Sequence, residues 1–406
     1  MKVLFLMFAF PDLNKSFNMF TTIVQQFHEN GHEVFVLAPD NKNEKTFISN
    51  EAGIDILRVK TLPIKNVPNV FKGFANLLLP YQYNNALNKF YPNIKFDLII
   101  SPTPPITLVD VTKKLKLKYN SKFYLILRDI FPQNAVDLGF MKKDGFLYNY
   151  FKKKEILLYN TADYIGCMSV GNIKYIEDHN PFLDHKKLHV LSNYQILYDI
   201  EKNANFELRR KYQLEDKFVV VFGGNMGKAQ QLENVLVLAK SCQIYKDVVF
   251  LLLGEGVHMN KLEQDILRLG ITNIQIQKTI PKEEYQDLIR ICDVGLISLH
   301  ESFTIPNIPS KTLDYFNVGI PVLASIDKST DYNEILDQAK AGYWSYAGDH
   351  EAYKNNFDKF YQNATSRKQF GANGRLYFEK HLTPQIAYAI IIKVLNSNDE
   401  YKNQNN

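Results

Sequence analysis

Residues 307–325 read NIPSKTLDYFNVGIPVLAS, and this stretch decides the fold. Ser310 is placed to cap a helix that starts at Lys311, carries Asp314 and ends at Gly319, before a short buried strand. The start of a capped helix presents backbone N–H groups to an anion, and Lys311 adds a full positive charge. Asp314, one turn further on the same face, could bind a ribose or sugar diol. The pattern indicates a nucleotide-sugar site, although an ordinary capped helix fits the same letters.

The same alternation of apolar strands and helices runs through both halves of the chain. Short apolar runs typical of buried parallel strands begin near Lys2, Glu33, Ile54, Asp97, Lys122, Asp163, His189, Phe218, Val248, Ile274, Val294 and Pro321. This alternation predicts an α/β fold of two Rossmann-like, doubly wound parallel-sheet domains that face each other across a cleft. The polar stretch 193–217 is the predicted linker, so the N-terminal domain spans 1–195 and the C-terminal domain 205–380.

Composition narrows the class of protein. The chain has 406 residues, of which 46% are hydrophobic, and no run approaches the roughly 18 apolar residues of a membrane span. The apolar N-terminus lacks a small-residue cleavage site and is interpreted as a first strand rather than a signal peptide. Cys167, Cys242 and Cys292 are far apart and in no metal-binding spacing, which predicts buried thiols in a reducing compartment.

Positive charge is concentrated in one part of the first half. Residues 58–154 hold 17 basic and 5 acidic side chains, a balance of +12, whereas the whole chain carries +5. Such a region attracts anionic lipid, nucleic acid or a pyrophosphate. Aromatic residues accompany lysines in 140–143 and 146–154, and less cleanly in 67–91, as at a lipid headgroup interface. Each segment also fits a buried apolar face with solvated lysines.

Ligands bind at the carboxyl ends of strands in parallel sheets, and that rule selects the candidate segments. They are Pro102–Pro105, Arg128–Asp129, Gly223–Lys228, Gly254–Gly256 and Glu301–Lys311. The glycine loop of residues 223–231, GGNMGKAQQ, is neither a dinucleotide fingerprint nor a P-loop, and a plain strand-to-helix turn explains its letters equally well. Its position after the first strand of the second sheet suits a diphosphate.

Seven motifs in order resemble the family 4 glycosyltransferases of the GT-B fold. The second half contributes GGNMGKAQQL, LLLGEG, IPKEEYQDLIRICDVGLISL and IPSKTLDYFNVGIPVLAS. The first half, with GHEVFVLAP, SPTPPITL and LILRDIFPQNAVDLG, resembles members that build bacterial capsule and O-antigen repeats, in particular the WbuB-like aminosugar transferases. The resemblance covers nearly the whole chain. It implies a retaining, metal-independent transfer from a nucleotide-activated sugar, and a C-terminal helix, 383–400, that packs back on the first domain.

The resemblance also implies roles for residues at matching positions. The implied donor contacts are Gly223, Gly224, Asn225, Met226, Gly227, Gln230, Gly254, Glu255, Lys278, Ile280, Pro309, Ser310 and Asp314. Asn14, Lys15, Pro104 and Arg128 are the expected acceptor contacts, and Asp129, Lys228 and Lys311 the expected catalytic residues. Asp129 beside Arg128 could orient or deprotonate an acceptor hydroxyl, or the two could form a structural pair.

Three departures from the family pattern bear on the site. The basic residues usual in the glycine loop align with Asn225 and Gln230, and Pro306 stands where a Glu is usual. The Gly-Gly usual in the first loop is replaced by residues 12–16, DLNKS. Lys228 and Lys311 are therefore expected to neutralise the leaving diphosphate, and helix N–H groups with a preorganised lysine would stabilise its charge.

The predicted function is transfer of an N-acetylated aminosugar from a UDP-sugar to a polyprenyl-pyrophosphate-linked saccharide. The enzyme would need no metal or other cofactor and would work in the cytoplasm, peripherally on the inner leaflet of the plasma membrane. Two alternatives stay open at this point. One is a nucleotide-sugar epimerase of the same fold, resembling UDP-N-acetylglucosamine 2-epimerase. The other is a basic module that binds nucleic acid or membrane without catalysis, although no nucleic-acid-binding motif supports it.

Overall fold

The computed structural model describes residues 1–41, 43–63, 69–200 and 205–403. The chain forms two compact units, one comprising Met1–Ile196 with Pro384–Asn406 and the other Leu197–Thr383. The predicted linker, 193–217, contains this change of unit and lies partly outside the described residues. Each unit is an α/β unit built on a parallel or largely parallel sheet, so the predicted class of two parallel-sheet α/β domains is confirmed.

The first unit is built on an eight-stranded sheet. Its strands are β1 Lys2–Leu6, β2 Glu33–Asp40, β3 Phe47–Glu51, β4 Ile54–Lys60, β5 Leu98–Pro102, β6 Lys122–Leu127, β7 Tyr164–Cys167 and β8 Leu188–Val190. Their order across the sheet is β3-β4-β2-β1-β5-β6-β7-β8, and every pair is parallel except β3–β4. Its first six helices are α1 Met19–Glu29, α2 Asn69–Phe90, α3 Val109–Tyr119, α4 Gln133–Asp137, α5 Phe146–Thr161 and α6 Val170–His179.

Helix α1 shows how local sequence sets an element. The Asn18 side chain accepts from the backbone N–H of Thr21 at 2.9 Å, and the Thr21 hydroxyl accepts from the Asn18 N–H at 2.7 Å. This reciprocal capping satisfies helix-end donors that would otherwise lack partners. The helix buries Ile23 and Phe27 against the sheet and ends before Gly31, whose φ of +78° suits glycine.

The second unit is built on a six-stranded parallel sheet. Its strands are β9 Phe218–Gly223, β10 Val248–Leu253, β11 Ile274–Gln277, β12 Val294–Ser298, β13 Val322–Ile326 and β14 Gly342–Tyr346. Their order is β11-β10-β9-β12-β13-β14. Its helices are α7 Glu207–Lys211, α8 Glu233–Ser241, α9 Met259–Leu269, α10 Lys282–Arg290, α11 Lys311–Val318, α12 Tyr332–Ala339, α13 His350–Gln362 and α14 Ala364–His381.

Strand β9 shows why this sheet is covered on both faces. Val219 and Val221 belong to one apolar core, and Val220 and Phe222 belong to the other. Successive side chains of a strand point to opposite faces, so a continuous apolar run needs a core on each side. The uninterrupted run Phe218–Phe222 is therefore buried along its whole length.

The last helix, α15 Pro384–Asn403, belongs to the first unit. It packs on α1, and its residues Ala387, Ile391 and Leu395 are buried in the same core as Phe27. The Tyr388 ring meets Phe27 edge-on at 5.0 Å between centroids, and its hydroxyl lies 2.9 Å from His32 Nε2. The first unit is thus completed by a segment that follows the whole second unit in the sequence.

Strand β3 and helix α2 of the first unit are among the elements that were not predicted. Strand β3 forms a hairpin with β4 through Ala52 and Gly53, both of which have positive φ. Helix α2 spans 22 residues with Pro80 inside it, where residues 67–91 were interpreted only as a mixed apolar and polar segment. Residues 67–68 of that segment lie outside the described residues.

Candidate functional site

Each sheet has one point where the direction of strand order reverses. In the second unit it lies between β9 and β12, and in the first unit between β1 and β5. Loops leave such neighbouring strands in opposite directions, which opens a crevice at their carboxyl ends where ligands bind. The crevice of the second unit is bordered by the glycine loop after β9 and by residues 299–310 after β12. That of the first unit is bordered by residues 7–17 and 103–106.

The glycine loop packs directly on the loop that follows β10. A Cβ at Gly254, where φ is +143°, would come within 1.9 Å of the Gly224 carbonyl oxygen, and a Cβ at Gly256 within 2.3 Å of the Met226 carbonyl oxygen. Met226 N–H donates to the Glu255 carbonyl at 2.9 Å, and its own carbonyl accepts from the N–H of His258 at 3.1 Å. The two loops form one rigid backbone surface because no side chain separates them.

Met226 cannot supply the donor contact that was expected of it. Its side chain is buried in the apolar core, while its backbone N–H and C=O bond to the neighbouring loop. Gly224 and Asn225 are the exposed residues of the glycine loop, whereas Gly227 is buried and Gln230 half-buried. Gly223 ends strand β9, where a Cβ would collide with the Tyr285 ring, so its role in this structure is close packing.

Lys311 reaches from the start of α11 back to the glycine loop. Its Nζ lies 2.7 Å from Gln230 Oε1 and 4.8 Å from the centre of the Phe222 ring. A Cβ at Gly224 would stand 3.0 Å from Lys311 Cε, so the glycine leaves room for the lysine stem. Burial lowers the pKa of Lys311 to about 8, and the nearby Asp314 carboxylate opposes this shift. The structure thus brings together three of the predicted site residues.

Ser310 does not cap α11 as predicted. It has helical dihedral angles, φ −65° and ψ −21°, and its side chain makes no capping hydrogen bond. The N–H groups of Thr312 and Leu313 instead bond back to the carbonyls of Pro309 and Ser310, at 3.2 and 3.1 Å. The first turn is closed by the backbone, so these two N–H groups are not available as an anion site. Lys311 provides a positive charge at the start of this helix.

One aromatic residue that the sequence analysis did not single out shapes the floor of this crevice. Tyr315 on α11 donates its hydroxyl to the carbonyls of Val221 and Leu296, at 3.2 and 3.1 Å. Gly223 N–H in turn donates to the same hydroxyl at 3.3 Å. This buried hydroxyl ties α11 to β9 and β12, and so fixes the helix that carries Lys311 and Asp314. A tyrosine inside the motif TLDYF was the available signal.

The loop after β12 is held by Gln231, another residue that the sequence did not mark. Its side-chain oxygen accepts from Glu301 N–H at 2.7 Å, and its carbonyl accepts from the Ser298 hydroxyl at 3.1 Å. Lys228 lies near His300, whose pKa is lowered by burial and, to a lesser degree, by that lysine. Lys228 is therefore close to this loop.

The remaining predicted donor residues lie along the same edge of the sheet. Glu255 and Lys278 have exposed side chains and follow β10 and β11, while Gly254 is buried between the loops. Ile280 packs partly against the core that contains Leu313, and Pro309 is half-buried before α11. Asp314 lies in the first turn of α11 and acts electrostatically on Lys311.

In the first unit, Arg128 has a structural role. Its guanidinium donates to the carbonyls of Leu191 and Ser192 at 2.8 and 3.4 Å and stands over the Tyr194 ring. These contacts tie the end of β6 to the chain beyond β8, so the geometry does not support an acceptor contact by Arg128. It also does not form the proposed ion pair, because its described partners are carbonyls and not the Asp129 carboxylate.

The loop that carries Pro104 and the loop that carries Asp129 are joined by hydrogen bonds of Thr103. Thr103 Oγ1 accepts from the Asp129 N–H at 3.2 Å and donates to the Asp129 carbonyl at 3.3 Å. Burial raises the pKa of the Asp129 carboxyl, and the nearby Arg128 charge opposes that shift. A carboxylate with a raised pKa suits proton transfer better than an ordinary one.

Asn14 and Lys15 lie in the loop after β1, and their side chains are exposed. Asn14 Oδ1 accepts from Ala52 N–H at 3.3 Å, and Lys15 forms a surface ion pair with Asp12 at 3.2 Å. Among the described residues, no group of three or more His, Cys, Asp or Glu side chains is placed to hold a metal ion. Within the same residues, no helix is both long and apolar enough to cross a membrane.

Two parallel-sheet units, each with a crevice at its strand reversal, define a protein of the GT-B fold. Residues 204–377, nearly the whole second unit, match the family described as "Glycosyl transferases group 1", and the second unit belongs to it. This match agrees with the family resemblance that the motifs of the second half predicted.

Individual relatives are distant. The chain is 25% identical over 255 residues to the probable glycosyltransferase WbjE of Pseudomonas aeruginosa, a match that covers 61% of this chain and 62% of WbjE. It is 23% identical over 148 residues to the putative colanic acid biosynthesis glycosyl transferase WcaI of Escherichia coli K12, covering 36% and 35% of the two chains. The Anabaena protein HepE, solved with UDP and glucose, superposes with a TM-score of 0.71 at 14% identity over 98% of this chain and 100% of HepE.

Proposed function

We propose that this chain is a retaining glycosyltransferase that moves a sugar from a UDP-sugar to a lipid-linked saccharide in bacterial surface polysaccharide synthesis. The observation that carries the proposal is the contact between Lys311 and Gln230 at the strand reversal of the second unit. Membership of the group 1 family and the UDP bound to HepE support a nucleotide-sugar donor. Likeness to WcaI supports a polysaccharide pathway, and an N-acetylated aminosugar is the donor sugar we propose.

The chemistry follows from where charge develops. Breaking the bond between sugar and diphosphate leaves negative charge on the diphosphate and positive charge on the sugar ring. A half-buried lysine at the glycine loop stabilises that negative charge more in the transition state than in the ground state, because its position is already fixed. Asp314, one turn along α11, would accept hydrogen bonds from the ribose, and Asp129 would orient or deprotonate the acceptor hydroxyl.

Membrane docking is the second part of the proposal, and exposed apolar residues of the first unit support it. Helix α2 carries an exposed stripe, Phe71, Phe74, Leu77 and Tyr81, whose exposed fractions are 65%, 57%, 46% and 67%. The spacing of three or four residues puts these side chains on one face of the helix. We call these four residues the α2 stripe.

Further apolar residues are exposed around the start of α5. Phe146 is 86% exposed at the first position of that helix, and Phe140 just before it is 68% exposed. Lys142 and Lys143, between them, are exposed as well. Helices α2 and α5 both pack on α3, so the two apolar segments flank one element. Aromatic residues interleaved with lysines suit the headgroup region of an anionic bilayer.

The lysine cluster 152–154 is less available for binding anionic lipid than the sequence alone suggests. Lys152 Nζ lies 2.5 Å from Glu155, and Lys154 Nζ lies 2.7 Å from Asp110. Only Lys153 of the three is classed as exposed. Neutralising all three would disturb two ion pairs inside the unit, so Lys142, Lys143 and Lys153 are the better residues to test.

The function is tested by incubating the protein with a panel of UDP-sugars, with and without a short polyprenyl-diphosphate-linked N-acetylglucosamine as acceptor. We expect one UDP-sugar to yield UDP and a lengthened lipid saccharide, with the anomeric configuration of the donor retained in the product NMR spectrum. Interconversion of UDP-sugars without acceptor would establish the epimerase alternative instead. A product of inverted configuration would contradict the retaining assignment and leave the transferase assignment intact.

A further inference from the structure

The loop between β1 and α1 is fixed by a buried ion pair from a neighbouring hairpin. Arg58 on β4 and Glu51 on β3 are 8% and 3% exposed. Arg58 Nε donates to Glu51 Oε1 at 2.9 Å, and Nη2 donates to Oε2 at 2.6 Å. This two-point geometry is the most directional contact available to a carboxylate, so the pair holds both side chains in one arrangement.

The same two side chains also bond to the loop backbone. Arg58 Nη1 donates to the Phe10 carbonyl at 2.6 Å, and Nη2 donates to the Pro11 carbonyl at 3.2 Å. Leu13 N–H donates to Glu51 Oε2 at 2.9 Å. Three backbone groups within four consecutive residues are therefore bound to one ion pair. The loop 7–17 contains no glycine, and its course is set by these bonds.

Placing an ion pair in a protein interior removes both charges from water, and the contact between them seldom more than offsets that loss. Stability alone is therefore a weak reason for burying Arg58 and Glu51. Outside the pair, the side-chain hydrogen bonds recorded for Arg58 and Glu51 go to the loop 10–13. The hairpin turn adds a bond from Ala52 N–H to Asn14 Oδ1. The network specifies the shape of one loop, at the strand reversal of the first unit.

We propose that Arg58 and Glu51 are positioning residues that hold the loop 10–15 as a preformed platform for the acceptor saccharide. The proposal rests on the proposed function and names the part of the first unit that serves it. The platform presents the exposed side chains of Asn14 and Lys15, an amide that suits sugar hydroxyls and a cation that suits the acceptor diphosphate.

A control for this ion pair lies in the same sheet, at the amino ends of the strands instead of their carboxyl ends. Asp163 precedes β7, and its Oδ2 accepts from Lys116 Nζ at 2.7 Å and from Phe123 N–H at 2.8 Å. It is thus an ion-paired carboxylate that also binds a backbone amide, but at the amino ends of the strands. Asp163→Asn measures what such a pair contributes to the unit in general, and Glu51→Gln measures what this one contributes to the loop.

The experiment measures steady-state kinetics of the full chain with the polyprenyl-diphosphate N-acetylglucosamine probe, together with amide hydrogen exchange of the loop. In Glu51→Gln and Arg58→Lys we expect the acceptor KM to rise at least tenfold, with donor KM and slow donor hydrolysis within twofold of wild type. Exchange at Leu13 should become faster in both variants. Asp163→Asn should leave acceptor KM and Leu13 exchange unchanged. The exposed variant Asn14→Ala, which removes no core contact, should also raise the acceptor KM.

Wild-type acceptor KM in Glu51→Gln, Arg58→Lys and Asn14→Ala would overturn the proposal, as would equal rises in Glu51→Gln and Asp163→Asn. A parallel rise of donor and acceptor KM would do so too, because it indicates general loss of structure. Failure of the proposed function has a different signature. It appears as absence of transfer by the wild-type chain with every UDP-sugar, before any variant is compared, and it overturns the acceptor role with it.

Discussion

Lys311 Nζ lies 2.7 Å from Gln230 Oε1, so a cation from the start of α11 reaches the glycine loop 81 residues earlier in the sequence. The loop itself carries Asn225 and Gln230 where the resembled family usually has basic residues. A positive charge therefore reaches this part of the crevice from a different element, and its position is set by burial against Phe222 and Gly224.

Removing this charge should impair the chemical step. We expect Lys311→Met to lower kcat by about 100-fold or more, the scale of losing one preorganised group at a developing charge. The methionine keeps the apolar stem that packs beside Gly224, so the fold should be retained. Lys328→Met, an exposed lysine of the same unit, is the control and should keep wild-type kcat. Unchanged turnover in Lys311→Met would place the donor site elsewhere.

The affinity for UDP should depend on pH through Lys311. Its pKa is about 8 in the free protein because burial disfavours the charged form, so it loses its proton above that pH. Binding a diphosphate requires the proton back, and the affinity should fall by up to about tenfold per pH unit between pH 8 and pH 9.5. Calorimetry in that range measures the effect. In Lys311→Met the affinity should not vary with pH, and an identical fall there would assign the titration to another group.

The same pKa sets the sign of a stability effect. Between pH 8 and 10.5 the unfolded lysine holds its proton and the folded one has lost it, so the free energy of unfolding rises with pH through this group. Comparing wild type with Lys311→Met by urea unfolding at pH 7.5 and pH 9.5 isolates the contribution. The difference between the two proteins should change in favour of the wild type at the higher pH. A difference that stays constant would contradict the lowered pKa.

Asp314 should act on donor binding more than on turnover. Asp314→Ala removes a charged acceptor for ribose hydroxyls, a loss of about 2 kcal/mol or a roughly 30-fold rise in donor KM. Asp314→Glu keeps the carboxylate, so its donor KM should stay within a few-fold of wild type. Donor titrations of both variants decide the matter. An effect of Asp314→Ala confined to acceptor KM would remove it from the donor site.

Transfer should not require a divalent metal. The charge on the leaving diphosphate is assigned to Lys311, and among residues 1–41, 43–63, 69–200 and 205–403 no cluster of acidic, His or Cys side chains is arranged as a metal site. We expect the initial rate to be the same in excess EDTA and in added Mg²⁺ or Mn²⁺. Loss of activity in EDTA that either metal restores would contradict the prediction.

Membrane binding should divide into a part that salt screens and a part that it does not. Neutralising Lys142, Lys143 and Lys153 together should weaken binding to anionic vesicles by at most about 3 kcal/mol at low salt, from about 1 kcal/mol per lysine. Phe74→Ser with Phe146→Ser should weaken binding at low and high salt alike, because apolar insertion is not screened. Vesicle sedimentation measures both. If wild type does not pellet with anionic vesicles, the exposed residues have another role.

Sequence reasoning recovered the elements whose signal is local. Strand β9 could be read from its unbroken apolar run, and the end of α11 from Gly319, whose φ is +78°. Helix α2 was not predicted, because Pro80 interrupts its pattern and its exposed aromatic residues blur the apolar face. Strand β3 was missed because FISNE is short and its pairing depends on a turn at Ala52 and Gly53.

The candidate site likewise contains residues that the sequence predicts and contacts that it does not. The letters of residues 307–325 located Lys311 and Asp314, but the contact with Gln230 depends on tertiary packing that no spacing encodes. Met226 stands inside a glycine-rich loop and yet is a core residue, because its side chain turns into the apolar layer under β9. The cap predicted for Ser310 failed because the chain enters α11 already in helical conformation, which turns its hydroxyl away from the first N–H groups.

Because helix α15 comes last in the sequence, the first unit is synthesised in two separate stages. During synthesis, residues 1–196 leave the ribosome before the segment that fills their core against Phe27 exists. The apolar face of α1 stays open until Ile391 and Leu395 arrive, after all of the second unit. A fragment that ends at residue 196 should therefore be prone to aggregation, and the second unit has time to fold first although it comes later in the chain.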